Sequence, residues 1–105
     1  PGNGGEVWRE RSFELVLDGA WVAGVFDRVV VERDAAGGAV RVMVYDFKTD
    51  HAPGEPERRL LASRYAAQLA LYRRAAALLT GVQPAAVGTA LVFTGSRQVV
   101  PVTPA

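Results

Sequence analysis

Gly24-Val25-Phe26-Asp27-Arg28 and, beyond a Gly37-Gly38 turn, Tyr45-Asp46-Phe47-Lys48-Thr49 are the stretches that decide the fold of this chain. Each reads as a strand with an acid on a face that is otherwise apolar. By the period of two, Trp21, Ala23, Val25, Asp27, Val29 and Val31 share one face of a strand over Ala20 to Glu32. Asp27 is the lone acid among them, and leaving it unpaired there would cost several kcal/mol, so a cation or hydrogen-bond partner is expected. Gly24 falls on the opposite face, where it permits close backbone approach. The second stretch belongs to a strand over Ala39 to Thr49. Val40, Val42, Val44, Asp46 and Lys48 share its face, so D-x-K projects both side chains the same way.

Working outward, Val7 to Leu17 reads as a strand with Phe13, Leu15 and Leu17 on one face and Trp8, Glu10, Ser12 and Glu14 on the other. Asp18-Gly19 is a two-residue hairpin signal, and Asp34 to Gly38 turns the chain again. His51 to Pro56 reads as a loop. A helix over about Glu57 to Thr80 follows, rich in Ala, Leu and Arg and closed by Gly81. Leu60, Leu61, Leu71, Leu78 and Leu79 with several alanines are expected to form its packing stripe. Tyr65, Gln68 and Tyr72 line one helical face. Val87 to Thr94 is a buried strand. Gln98 to Val102 is a last strand, which Pro101 confines to an edge. The order is β-β-β-α-β-β, an α/β (α+β) arrangement with three meandering strands, a crossover helix and two further strands.

Composition narrows the function. A chain of 105 residues, half of them hydrophobic, makes one domain with a single core. Residues 1–5 read as a flexible segment and 6–105 as the domain. The start at Pro1 suggests a piece of a longer protein. No cysteine is present, which removes disulfides, cysteine zinc sites and iron–sulfur clusters. No apolar run spans a membrane and no signal peptide stands out, so a cytoplasmic home is expected. The formal charge is only +1, and of the twelve basic residues all but Lys48 are arginine. Coding bias towards arginine accounts for much of that, yet the one lysine falls inside D-x-K.

Asp27 and Asp46 are hard oxygen donors, suited to Mg²⁺ or Mn²⁺. A bound divalent ion lowers the pKa of its water and neutralises charge on a phosphate. Lys48 can orient or deprotonate a water, or stabilise a transition state; an arginine cannot give up its proton. The structural alternative is a surface ion pair between Asp46 and Lys48. Gln68 and Tyr72 either hold DNA backbone and brace the site, or are a solvated amide and a core ring. Glu10 either completes a metal shell or is an exposed strand residue. Arg28 points away from Asp27 and supports rather than catalyses. His51 is a solvated loop residue near the site. Arg58, Arg59, Arg64, Arg73 and Arg74 either contact phosphates or form a solvated helix face.

The ordered set Gly24-x-x-Asp27-Arg28, Asp46-Phe47-Lys48-Thr49 and Tyr65-x-x-Gln68-x-x-x-Tyr72 resembles the RecB-type branch of the PD-(D/E)XK nuclease superfamily, over about Glu10 to Phe93. Phe47 stands where that branch usually has tyrosine. The resemblance implies a restriction-endonuclease-like core, α-β-β-β-α-β. It assigns metal binding to Asp27, Asp46 and the backbone carbonyl of Phe47, and catalysis to Lys48 with both acids. It gives Gln68, Tyr72, Tyr65, Arg28 and Thr49 a DNA-contacting or site-supporting role. It implies a Mg²⁺- or Mn²⁺-dependent deoxyribonuclease, expected to be an exonuclease, in a DNA-repair or recombination helicase–nuclease of the AddA or RecB kind. The implied partners are DNA, helicase domains of the same parent chain and a partner nuclease or helicase subunit. The family's opening helix, which commonly supplies a histidine to the metal, is expected to be absent from this chain. The alternatives are a nuclease-fold module that binds DNA or a subunit without cutting, and an unrelated α+β domain whose acids are satisfied by arginines and do not converge.

Overall fold

The computed structural model describes residues 5–48 and 54–102. Five strands form one sheet in sequence order: β1 (Gly5–Leu17), β2 (Ala20–Arg33), β3 (Ala39–Lys48), β4 (Val87–Phe93) and β5 (Gln98–Pro101). The helix α1 (Glu55–Thr80) and a 3₁₀ turn, Pro84–Ala86, connect β3 to β4. That crossover makes β3 and β4 parallel; every other neighbouring pair is antiparallel. This mixed sheet with one helix is the expected α+β arrangement, with β5 at an edge as Pro101 requires. Residues 1–4 of the expected flexible segment lie outside the described residues, and Gly5 already pairs with Glu32. Among the described residues no helix is long and apolar enough to cross a membrane.

Local chemistry sets each turn. Asp18 and Gly19 both adopt positive φ, 52° and 81°, the backbone of a type I′ hairpin turn. The Asp34 carboxylate accepts from the N–H groups of Ala36 and Gly38 at 3.0 and 2.9 Å, which folds the β2–β3 turn on itself. The helix starts two residues earlier than expected because Pro56 fits its first turn, where no backbone donor is needed. Glu55 and Glu57 in that turn complement the positive end of the helix dipole. Gly81 ends it with φ 79° while donating its N–H to the Ala77 carbonyl at 2.8 Å.

The packing stripe differs from the expected one. Leu60, Leu78 and Leu79 are exposed. The helix meets the sheet through Leu61, Tyr65, Leu69, Tyr72 and Ala75 to Ala77. Leu60, Leu78 and Leu79 sit off the phase of that stripe, and the alanines sit on it where the helix packs close to the sheet. Two apolar clusters result. One joins Phe13, Leu15, Phe26, Val29, Val31, Val42 and Val44 to the alanines. The other joins Leu69, Leu91, Phe93 and Val102.

The faces of β1 and β2 also differ from a simple alternation. Phe26 and Val29 are both fully buried, although only two residues separate them. Trp21, at 77% exposed, and Val25 therefore lie on the open face, while Val29 and Val31 lie in the core. The expected single face of β2 is split at Asp27. β1 is split at the matching place: Glu10 has φ 47°, and Trp8 is buried against Phe26 rather than turned out with Ser12 and Glu14. β3 alternates from Arg41 onward, and Val42, Val44 and Asp46 share a buried face with Lys48 beyond them. Before that the β2–β3 register shifts, so Ala39 packs on the core and Val40, expected on this face, is exposed.

Candidate active site

The site lies where β2 parts from β3. The two strands pair from Arg33↔Ala39 down to Arg28↔Tyr45 and no further. One step on, that register sets Asp27 opposite Asp46. There the Asp27 carboxylate replaces the missing main-chain partner: its Oδ2 accepts from the Phe47 N–H at 2.8 Å. Its carboxyl group also lies near enough to that of Asp46 to raise the Asp46 pKa. This explains why the alternation of β2 breaks at Asp27. The break turns an acid towards Asp46 and still leaves Phe26 in the core.

Asp46 is 8% exposed, between Val44 of the larger cluster and Leu91 of the smaller, its partner on β4. Burial pushes its carboxyl above the usual range, and the neighbouring Asp27 pushes it further. Lys48 opposes that shift from an ion pair at 3.2 Å between Nζ and Asp46 Oδ2. The contact lies off the line of a hydrogen bond, so Oδ2 is buried with no donor aimed at it. A buried acceptor so placed, beside a second carboxylate, suits a hard cation. The Lys48 ammonium also sits 3.8 Å from the centre of the Tyr65 ring. Thr94 fixes the end of the strand by donating its N–H and hydroxyl to the Lys48 carbonyl, at 2.8 and 3.1 Å.

The other expected residues divide. Tyr72 is a brace: its ring stands edge-on to Phe13 and Phe26, with centres 5.6 and 5.5 Å away. Gln68 is exposed and reaches the Tyr72 hydroxyl at 3.4 Å. Arg28 lies over the Phe47 ring at 5.0 Å and, although expected to point away from Asp27, lines the same cleft as that acid. Glu10 and Asp27 line one open cleft of about 400 Å³ with Arg9, Arg28 and Phe47. Glu10 does not join the two acids: among the described residues no group of three acidic or histidine side chains is close enough to share a metal ion. Thr49 and His51 lie outside the described residues.

Of the helix arginines, Arg59 pairs with Glu55 at 2.7 Å. Arg73 donates to the Pro84 carbonyl at 2.8 Å. Arg74 grips both oxygens of Asp18 at 2.8 and 2.9 Å, which ties α1 to the β1–β2 turn and holds the Asp18 carboxyl below its ordinary range. These three serve the fold.

Two supports escaped the sequence reading. Thr94 sits at the end of a parallel neighbour, and no spacing rule connects it to Lys48. Gly24 stands out in the sequence as a place of close approach, but its partner does not. A Cβ there would stand 2.8 Å from Cζ of Phe13 and 3.2 Å from Cε1 of Tyr72. The glycine of G-x-x-D-R thus makes room for the tyrosine of Q-x-x-x-Y.

The convergence of Asp27, Asp46 and Lys48 excludes the reading in which the acids are scattered and satisfied by arginines. Among curated proteins none matches the chain significantly. A family model does: that of the PD-(D/E)XK nuclease superfamily, over residues 2–102. Fold, site and family match agree, and the chain belongs to the PD-(D/E)XK nuclease superfamily.

Proposed function

We propose that this chain is a Mg²⁺- or Mn²⁺-dependent DNA nuclease domain of the RecB type, working on DNA ends within a repair or recombination helicase–nuclease. The observation that carries the reading is the meeting of Asp27, Asp46 and Lys48 at the parting of β2 and β3. The order of the three motifs supports the RecB-type branch, and that branch suggests exonuclease action and helicase partners.

Asp27, Asp46 and the Phe47 carbonyl would hold the cation. Two carboxylates leave room for water and phosphate oxygens, the usual arrangement for Mg²⁺. When bound, a divalent cation supplies a water of lowered pKa and offsets charge on the phosphate. The chain's own part is to place groups. Asp27 stays fixed by the Phe47 N–H, and Asp46 by its burial. Lys48 presents an ammonium to the attacking water or to a phosphate oxygen, where charge develops.

A second reading, a DNA- or subunit-binding module that does not cut, is favoured by the lack of a third acidic or histidine ligand among the described residues. One experiment separates the two. Linear DNA is incubated with the chain and Mg²⁺ or Mn²⁺, beside Asp46→Ala and Lys48→Ala. The nuclease reading expects cleavage that both variants lose while their circular dichroism is unchanged. Cleavage retained in both would sink it, and a chain that neither cleaves nor binds either metal is the scaffold.

A further inference from the structure

The ring of Tyr65 is the unused part of this site. Its centre lies 3.8 Å from Lys48 Nζ, closer than either other cation–ring contact among the described residues. The ring is half-buried against Leu69, Leu91, Phe93 and Val102, so helix and sheet both fix its plane. No hydrogen bond holds its hydroxyl among the described residues. What Tyr65 offers the site is its face.

Lys48 needs such an anchor. Its stem is long and flexible, and its contact with Asp46 is an ion pair off the hydrogen-bond line. With Asp46 alone, the ammonium would either close onto the carboxylate or swing into solvent. A π face draws the cation by its quadrupole without consuming an N–H donor. Held between carboxylate and ring, the ammonium keeps donors free for a substrate oxygen.

We propose that Tyr65 is a positioning residue that fixes the ammonium of Lys48 through its ring. Its effect on cleavage rests on the nuclease reading above; its effect on Lys48 does not. Because Lys48 is the only lysine, ¹³C-lysine labelling gives one set of side-chain NMR signals. A ring facing the ammonium shifts the ε-methylene protons upfield of those of a free lysine side chain. The experiment records those protons and the cleavage kinetics in the wild type, Tyr65→Phe and Tyr65→Leu. The upfield shift is expected in the wild type, kept in Tyr65→Phe and lost in Tyr65→Leu. The value of kcat is expected to fall about tenfold in Tyr65→Leu, with KM little changed, and to be restored in Tyr65→Phe. An unshifted wild-type signal overturns the proposal. So does a Tyr65→Phe variant as impaired as Tyr65→Leu, because the hydroxyl would then be the active part. A wild type that shows the shift but never cleaves refutes the nuclease reading and leaves Tyr65 as the anchor of Lys48.

Discussion

Replacing Gly24 by alanine tests the link between two motifs more sharply than any change to the acids. The added Cβ would lie 2.8 and 3.0 Å from Cζ and Cε1 of Phe13 and 3.2 Å from Cε1 of Tyr72, well inside normal carbon contact. Neither ring can step aside freely. Phe13 stacks on Phe26 at 4.5 Å, and Phe26 is fully buried. Overpacking of this kind costs about 1–3 kcal/mol. Alanine recovers about 0.5–1 kcal/mol of that by restricting the unfolded chain. The net loss is expected near 1–2 kcal/mol, or roughly 5–10 °C in Tm for a domain of this size. Urea unfolding should show a lower midpoint at unchanged slope. Adding Phe13→Leu should make the loss less than the sum of the two single changes, by about 0.5 kcal/mol or more. Gly88→Ala is the control. Its Cβ would come even closer, 2.5 Å from Met43 Sδ, but a methionine end can move, so its cost should be smaller. A Gly24→Ala variant as stable as the wild type, or losses that simply add, would refute the argument.

Three further outcomes are expected. Leu69→Ala, a truncation at a fully buried position between helix and sheet, should cost about 2–5 kcal/mol in urea unfolding. For Asp46 the folded carboxyl titrates above its unfolded value of 3.8, so its contribution is fully present below that pH and is lost as pH rises through the raised value. Asp46→Asn should therefore stabilise the metal-free chain at neutral pH, read as a higher urea midpoint, while removing metal binding. Asp18 has the opposite sign: its contribution is present above 3.8 and lost as pH falls through the lowered value. Asp18→Asn should flatten the acid side of the stability curve slightly, as a solvent-exposed pair allows.

The sequence was most informative where one rule governed each residue. β3 alternates from Arg41 to Lys48, past a register shift that turns Val40 out, so Asp46 and Lys48 could be placed on one face from spacing alone. Asp18-Gly19, Gly81 and Pro101 each marked a boundary by a backbone property that no tertiary contact overrides. β2 was harder, because Phe26 and Val29 are both large and apolar and cannot both obey a period of two. That conflict was visible in the sequence as V-F-D-R-V. Resolving it needed the hydrogen bond from the Phe47 N–H, which lies twenty residues away. The helix stripe was legible only in part, for a related reason. Leu61 and the alanines pack as expected, whereas Leu60, Leu78 and Leu79, marked by hydrophobicity alone, lie exposed. Thr94 and the partners of Gly24 were illegible because their roles depend on which strands and rings become neighbours.

The early end of the β2–β3 ladder also has a mechanical meaning. Beyond Arg28, the far part of the β1–β2 hairpin has no main-chain bond to β3. It projects like a cantilever, held by the rings around Tyr72 and by the grip of Arg74 on Asp18. Bending of that arm is concentrated at its root, and Asp27 sits at the root. Amide hydrogens between Ser12 and Val25 should exchange faster than those of Val42 to Val44, and loosening the tip with Asp18→Asn should quicken them selectively. A push on the hairpin would then be felt first at the acid that faces Asp46.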